Sequence, residues 1–198
     1  MYQVYSIQQP KRTERKIIMK LKKFNAVVGL LIVLSLCGHA GTMGYSLWTG
    51  WYNYPVCKML AKITVFLAAT HVVVTLIEFF FFHDGSGFQY KKYNRATILQ
   101  RVTAITMLVL LHVHIKAYAH VVTGAVLTTA QTAFFCMTEL LFFASALTHA
   151  AVSVSKAVTT LGLASSPRTI AVIDRIGYVI GACAMLAVSG GMLSFFLL

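Results

Sequence analysis

The stretch Leu99–His114, LQRVTAITMLVLLHVH, decides how the chain is read. It leaves a basic flank, enters a long apolar run and carries histidines deep into that run. An ionisable or metal-ligating side chain is expensive inside a bilayer, so its presence there marks a functional candidate. Three other apolar runs each hold one interior histidine: His39, His71 and His149.

Composition sets the class. Hydrophobic residues make up 58% of the 198 positions and charged residues only 11%. A soluble domain is nearer a quarter charged, so the chain is expected to be an all-α integral membrane protein. The net charge of +12 does not point to nucleic acid, because the bases sit beside apolar runs as a cytoplasmic rim would. Cys37, Cys57, Cys136 and Cys183 have no CxxC spacing, and three of them lie inside apolar runs. They read as small hydrophobes, with no disulfide and no zinc.

Residues 1–23 form a polar and then basic segment, with Met19 before KLKKF as an alternative start. Residues 24–198 then form the membrane domain, whose first span runs from about Phe24 to Leu47. The same region has the layout of a signal peptide, with a cleavage site after Ala40. Trp48, Trp51, Tyr52 and Tyr54 suit the headgroup level. Further spans are expected over about 56–82, 96–118, 131–158 and from 170 to the C-terminus. Asp84–Arg95 reads as a basic turn, and Gly177 with Gly181 as a face that lets another helix approach closely.

The N-terminal tail and the 84–101 and 156–175 segments hold every Lys and Arg except Lys58, Lys62 and Lys116. The positive-inside rule then places the N-terminus in the cytoplasm and, after five spans, the C-terminus outside. This topology fixes histidine depth. At ~1.5 Å per residue, His39 lies ~22 Å and His114 ~25 Å from the cytoplasmic edge, whereas His71 and His149 each lie ~16 Å from it. Depth thus sorts an outer pair, His39 with His114, from an inner pair, His71 with His149. Each pair draws on two helices, as two six-coordinate b-type haems clamped inside a five-helix bundle require. Bis-imidazole ligation leaves no open position for oxygen, which points to electron transfer.

A lone histidine on an apolar helix is more often a hydrogen-bonded packing residue than a ligand. Four at two matched depths are harder to explain so. His112 competes with His114, since two residues apart they face nearly opposite sides of a helix. Periodicity alone does not choose between them. His83 and His120 fall at span ends and read as interfacial.

Gln100-Arg101-Val102-Thr103 is followed by a histidine fourteen residues beyond the Gln, and His149 is followed by Pro167-Arg168 before a last span. In these features, and in the order and depth of all four histidines, the chain resembles the five-helix dihaem cytochrome b subunit of succinate dehydrogenase and fumarate reductase. The resemblance covers about residues 24–196 and selects His114 over His112. It implies a subunit that is not itself catalytic for the dicarboxylate. Such a subunit anchors a flavoprotein and an iron–sulfur protein in the cytoplasmic membrane and passes electrons to or from a quinone, menaquinone first among them. A dimeric complex is left open. Arg101 is then a candidate partner for haem propionates, because a guanidinium pairs well with a carboxylate. Ordinary positive-inside flank explains Arg101 equally well.

The chain also departs from the pattern. Family members that oxidise menaquinol carry a carboxylate near the start of the second helix, and Tyr45–Lys62 has none. Nor is there an acid beside His149. Glu139 is the one deep carboxylate, ~12 Å from the outer edge at ~1.5 Å per residue, and is the candidate proton donor to quinone. Its plainer reading is a neutral packing residue. Two other functions compete: a transporter or channel whose histidines and Glu139 relay protons, and a haem-free membrane anchor.

Overall fold

In the computed structural model, which describes residues 12–81, 91–123 and 126–197, every regular element is helical. The helices are α1 (Arg12–Thr49), α2 (Tyr54–Phe81), α3 (Lys91–Thr123), α4 (Thr129–Thr160) and α5 (Pro167–Leu197). All five contain a stretch long and apolar enough to cross a membrane. That is the layout of a multi-pass membrane protein. Large apolar side chains point outward along the bundle, Leu34, Phe66, Val109 and Leu186 among them. An apolar surface this extensive suits lipid and not water.

The helix ends follow local chemistry. Asn53 accepts the Val56 N–H through Oδ1 at the start of α2. Thr128 and Gln131 bond reciprocally at the start of α4, a capping box that satisfies two otherwise unpaired N–H groups. Pro167 opens α5, where its missing N–H costs nothing, and Ser166 accepts the Thr169 N–H beside it. Gly50 and Gly162 follow α1 and α4 with φ of 70° and 79°, a conformation other residues rarely adopt. α1 begins at Arg12, so the basic segment from that residue onward continues the first helix. Likewise Lys91–Arg95, expected in a turn, already belongs to α3; His83 lies outside the described residues.

Two antiparallel hairpins, α1–α2 and α3–α4, join through α1 and α4, and α5 packs against both of those helices. α4 is the most enclosed of the five. Among the described residues, α2 packs along α1 alone and α3 along α4 alone. The backbones of α2 and α3 therefore do not pack on each other.

Small residues set the closest approaches. A Cβ on Gly177 would lie 3.5 Å from the Ala151 carbonyl oxygen, and one on Gly181 would lie 3.9 Å from that of Leu147. The glycine face of α5 thus receives α4, as its spacing predicts. At the other end of α5 the Trp48 ring lies over Gly190 and Gly191, and its Nε1–H donates to the Ala187 carbonyl at 3.1 Å. Trp48, expected only at the headgroup level, is also a tether between α1 and α5. Side-chain bonds join α1 to α2: Asn25 Nδ2 donates to Thr75 Oγ1 at 3.1 Å, and Ser35 and Thr64 share a 2.7 Å bond. Such bonds between membrane helices average only ~0.6 kcal/mol, so their chief effect is to fix register.

Candidate functional site: two histidine pairs between the hairpins

Each helix of the two hairpins supplies one histidine. On α3 the face is settled by packing: His112 is exposed, whereas His114 turns inward with 17% of its side chain accessible. The His114 ring centre lies 6.4 Å from that of His39 on α1, with the ring planes at 82°. His39 and His114 thus meet across the space between the hairpins, although α1 and α3 do not pack together.

α4 builds the surroundings of His114. Glu139, Phe142 and Phe143 are three and four residues apart and so share one helix face. Phe142 stacks on the His114 ring at 4.6 Å and 19°, and Phe143 meets it edge-on at 6.1 Å. Tyr118, one turn along α3, meets it edge-on at 5.2 Å. Glu139 is fully buried. Its Oε2 lies 2.7 Å from His114 Nδ1, a length typical of a charge-assisted bond. Its Oε1 is buried with no hydrogen-bond partner among the described residues. The Nδ1 atom of His39 is likewise buried and unpartnered.

The second pair is held differently. His149 Nδ1 lies 3.0 Å from the Gln100 carbonyl oxygen and 3.2 Å from Thr103 Oγ1. A carbonyl can only accept, so Nδ1 carries the proton and Nε2 of the neutral ring keeps its lone pair. His71 on α2 faces Gly29 of α1, where a Cβ would come 3.8 Å from its Cε1. Its Nδ1 is buried with no side-chain or close backbone partner among the described residues. Among the described residues no ring contact joins His71 to His149 as one joins His39 to His114. Within the first hairpin the His39 ring approaches the Cys57 backbone and the His71 ring the Asn25 backbone. Among the described residues the hydrogen bonds of His114 and His149 run through Nδ1.

Beyond His149 a polar network crosses from α3 to α4. Lys156 Nζ donates to Gln100 Oε1 at 2.8 Å, and Gln100 Nε2 donates to Ser153 Oγ at 2.8 Å. Gln100 therefore acts twice, by its carbonyl on His149 and by its amide on Lys156. Arg101, the next residue, is exposed, and its guanidinium sits 5.3 Å from the Phe79 ring centre of α2. It thus links α3 to α2, and among the described residues no hydrogen bond joins it to the Gln100 network. Lys156 and Gln100 were not singled out as a pair from sequence. Their spacing of 56 residues carries no local signal.

At the opposite end of α1, one turn beyond His39, a cavity of about 260 Å³ opens between α1 and α2. Gly41, Thr42, Tyr45, Trp51 and Cys57 are among its lining residues. Thr42 spends its hydroxyl on the Gly38 and His39 carbonyls, so the wall presents mainly apolar and aromatic surface. Glu139, the sequence candidate for a proton donor, is not part of this lining; the side chain it meets is His114. Among the described residues no disulfide forms, and all four cysteines are free.

Two imidazoles alone make an incomplete cage for a bare metal ion. Among the described residues no three His, Cys, Asp or Glu side chains converge as such an ion would need. A metal that brings its own equatorial ring needs only the two axial nitrogens. With metal–nitrogen bonds of ~2.0–2.1 Å and ~1 Å more from nitrogen to ring centre, two such imidazoles sit ~6–6.5 Å apart. The ring centres of His39 and His114 lie 6.4 Å apart, a separation that would suit one such metal if both rings turn a nitrogen toward it. Comparison with protein-family models, with curated proteins and with solved structures finds no match to this chain.

Proposed function

We propose that this chain is the membrane-anchor and electron-transfer subunit of a succinate dehydrogenase or fumarate reductase complex, with two b-type haems between its hairpins. His39 and His114 would hold one, and His71 and His149 the other. Bound there, haems supply reversible one-electron transfer. The observation that carries the reading is the way the second nitrogen of the ring is used. In each pair one histidine, His114 or His149, has Nδ1 committed to a protein partner. Orienting a ligand through its other nitrogen is what metal sites require.

The remaining parts follow from charge and shape. The end rich in Lys and Arg is the cytoplasmic one in this reading, with the N-terminus there and the C-terminus outside. It would receive an iron–sulfur subunit and, through it, a flavoprotein. Lys156 and Arg101, near that end, are the cations available to haem carboxylates. Quinone, with menaquinone favoured by the family resemblance, needs a mostly apolar cleft with a few polar groups. The cavity beside His39 offers one.

The test is haem content. The complex, co-expressed with its partner subunits and saturated with haem, should give a reduced-minus-oxidised b-type spectrum. A pyridine haemochrome assay should find two haems per chain. One haem or none overturns the proposal. The buried Glu139–His114 contact also suits a proton relay, and that second reading gains if the protein lacks haem and conducts protons in liposomes.

A further inference from the structure

The four histidines differ in what holds them. His149 gives its Nδ1–H to a neutral backbone carbonyl, whereas His114 faces a carboxylate that has no other hydrogen-bond partner among the described residues. Glu139 is wholly enclosed, so water does not weaken the contact. Phe142 stacked on one face of the imidazole, with Phe143 and Tyr118 at its edges, stops the ring from turning away.

We propose that Glu139 is a positioning residue for the outer haem: it accepts the Nδ1–H of His114, presents Nε2 to the iron and makes that imidazole the stronger axial donor. This rests on the haem reading above. It also changes the part Glu139 is expected to play, from a proton donor to quinone to a tuner of an iron ligand. The chemistry runs through charge. An imidazole hydrogen-bonded to a carboxylate takes on imidazolate character, and ligand basicity rises. Ferric iron in a porphyrin dianion carries a net positive charge and the ferrous form none. A buried carboxylate one imidazole away therefore favours the ferric form. Glutamine at the same place keeps the shape and removes the charge. A carbonyl cannot do the same for His149, which makes the effect specific to one haem.

The experiment uses the whole complex and counts haem first. Wild type lacking two haems overturns the proposed function itself, and this inference with it. With two haems in both proteins, Glu139→Gln should raise the midpoint potential of the outer haem and leave the inner one in place. The expected shift is at least tenfold in the ferric–ferrous equilibrium, about 59 mV for one electron. Unchanged potentials overturn the positioning role while the haem reading stands. If the variant does not assemble, wild type alone decides. Its near-infrared charge-transfer absorption, read by magnetic circular dichroism, should resolve two components, one displaced toward the imidazolate position. A single undisplaced band overturns the inference.

Discussion

The His39–His114 and His71–His149 pairs both draw on the two hairpins yet are anchored by different chemistry. The first is held by a buried side chain, Glu139, and by rings packed on His114. The second is held by backbone, the Gln100 carbonyl, in a network that ends at Lys156. A backbone acceptor orients a ring without bringing a formal charge. A carboxylate orients it and also sets the electrostatics. If both pairs bind haem as proposed, this single side chain would set their redox behaviour apart.

The largest effects expected are those that empty one site and spare the other. His39→Ala or His114→Ala should remove one haem and leave the second, and His71→Ala or His149→Ala should do the reverse. Haem stoichiometry with redox titration of each variant checks this. Loss of both haems from every variant would show the two sites to be one cooperative unit and break the comparison.

Gly29 should behave as part of the His71 site. A Cβ there meets the ring at 3.8 Å, ordinary contact, so Gly29→Ala should keep both haems. Gly29→Leu should drive the ring aside and lower occupancy of the inner haem alone, seen as a partial loss in the haemochrome assay.

Thr103→Val sharpens the contrast with Glu139. It removes the hydroxyl 3.2 Å from His149 Nδ1 and leaves the carbonyl. A net ~0.5–1.5 kcal/mol is typical of one neutral hydrogen bond, and here the carbonyl retains the larger share. The inner midpoint potential should therefore move less than the outer one does in Glu139→Gln.

Gly191→Val tests whether packing elsewhere feeds into either site. A Cβ at Gly191 would fall 2.8 Å from Trp48 Nε1, so the ring must shift and its bond to Ala187 is lost. Thermal stability should drop while both haem spectra stay unchanged. The smallest effect is expected at His112, which is exposed on the far side of α3 from His114. His112→Ala should leave both haems spectrally intact; loss of a haem there, with His114→Ala silent, would reverse the assignment on α3.

The number and order of the helices were legible in the sequence, and counting along them put His39 and His114 at the common level where their rings meet. The rise per residue is constant along a helix, so counting from a charged flank is a measurement of depth. The Gly177–Gly181 face and the Pro167 start carried their meaning locally as well. What a helix faces is another matter. In a membrane bundle, lipid-facing and neighbour-facing sides are both apolar, so hydrophobic periodicity does not report rotation about the axis. Only packing turned His114 inward and His112 outward, set Glu139 against a histidine 25 residues away, and brought the Gln100 carbonyl to His149. Arg101 and Gln100 show the same divide: adjacent in sequence, they serve Phe79 on one helix and Lys156 on another. Depth is a property of one helix and is written in its own residues. Azimuth is a relation between helices, and the tertiary structure alone decides it.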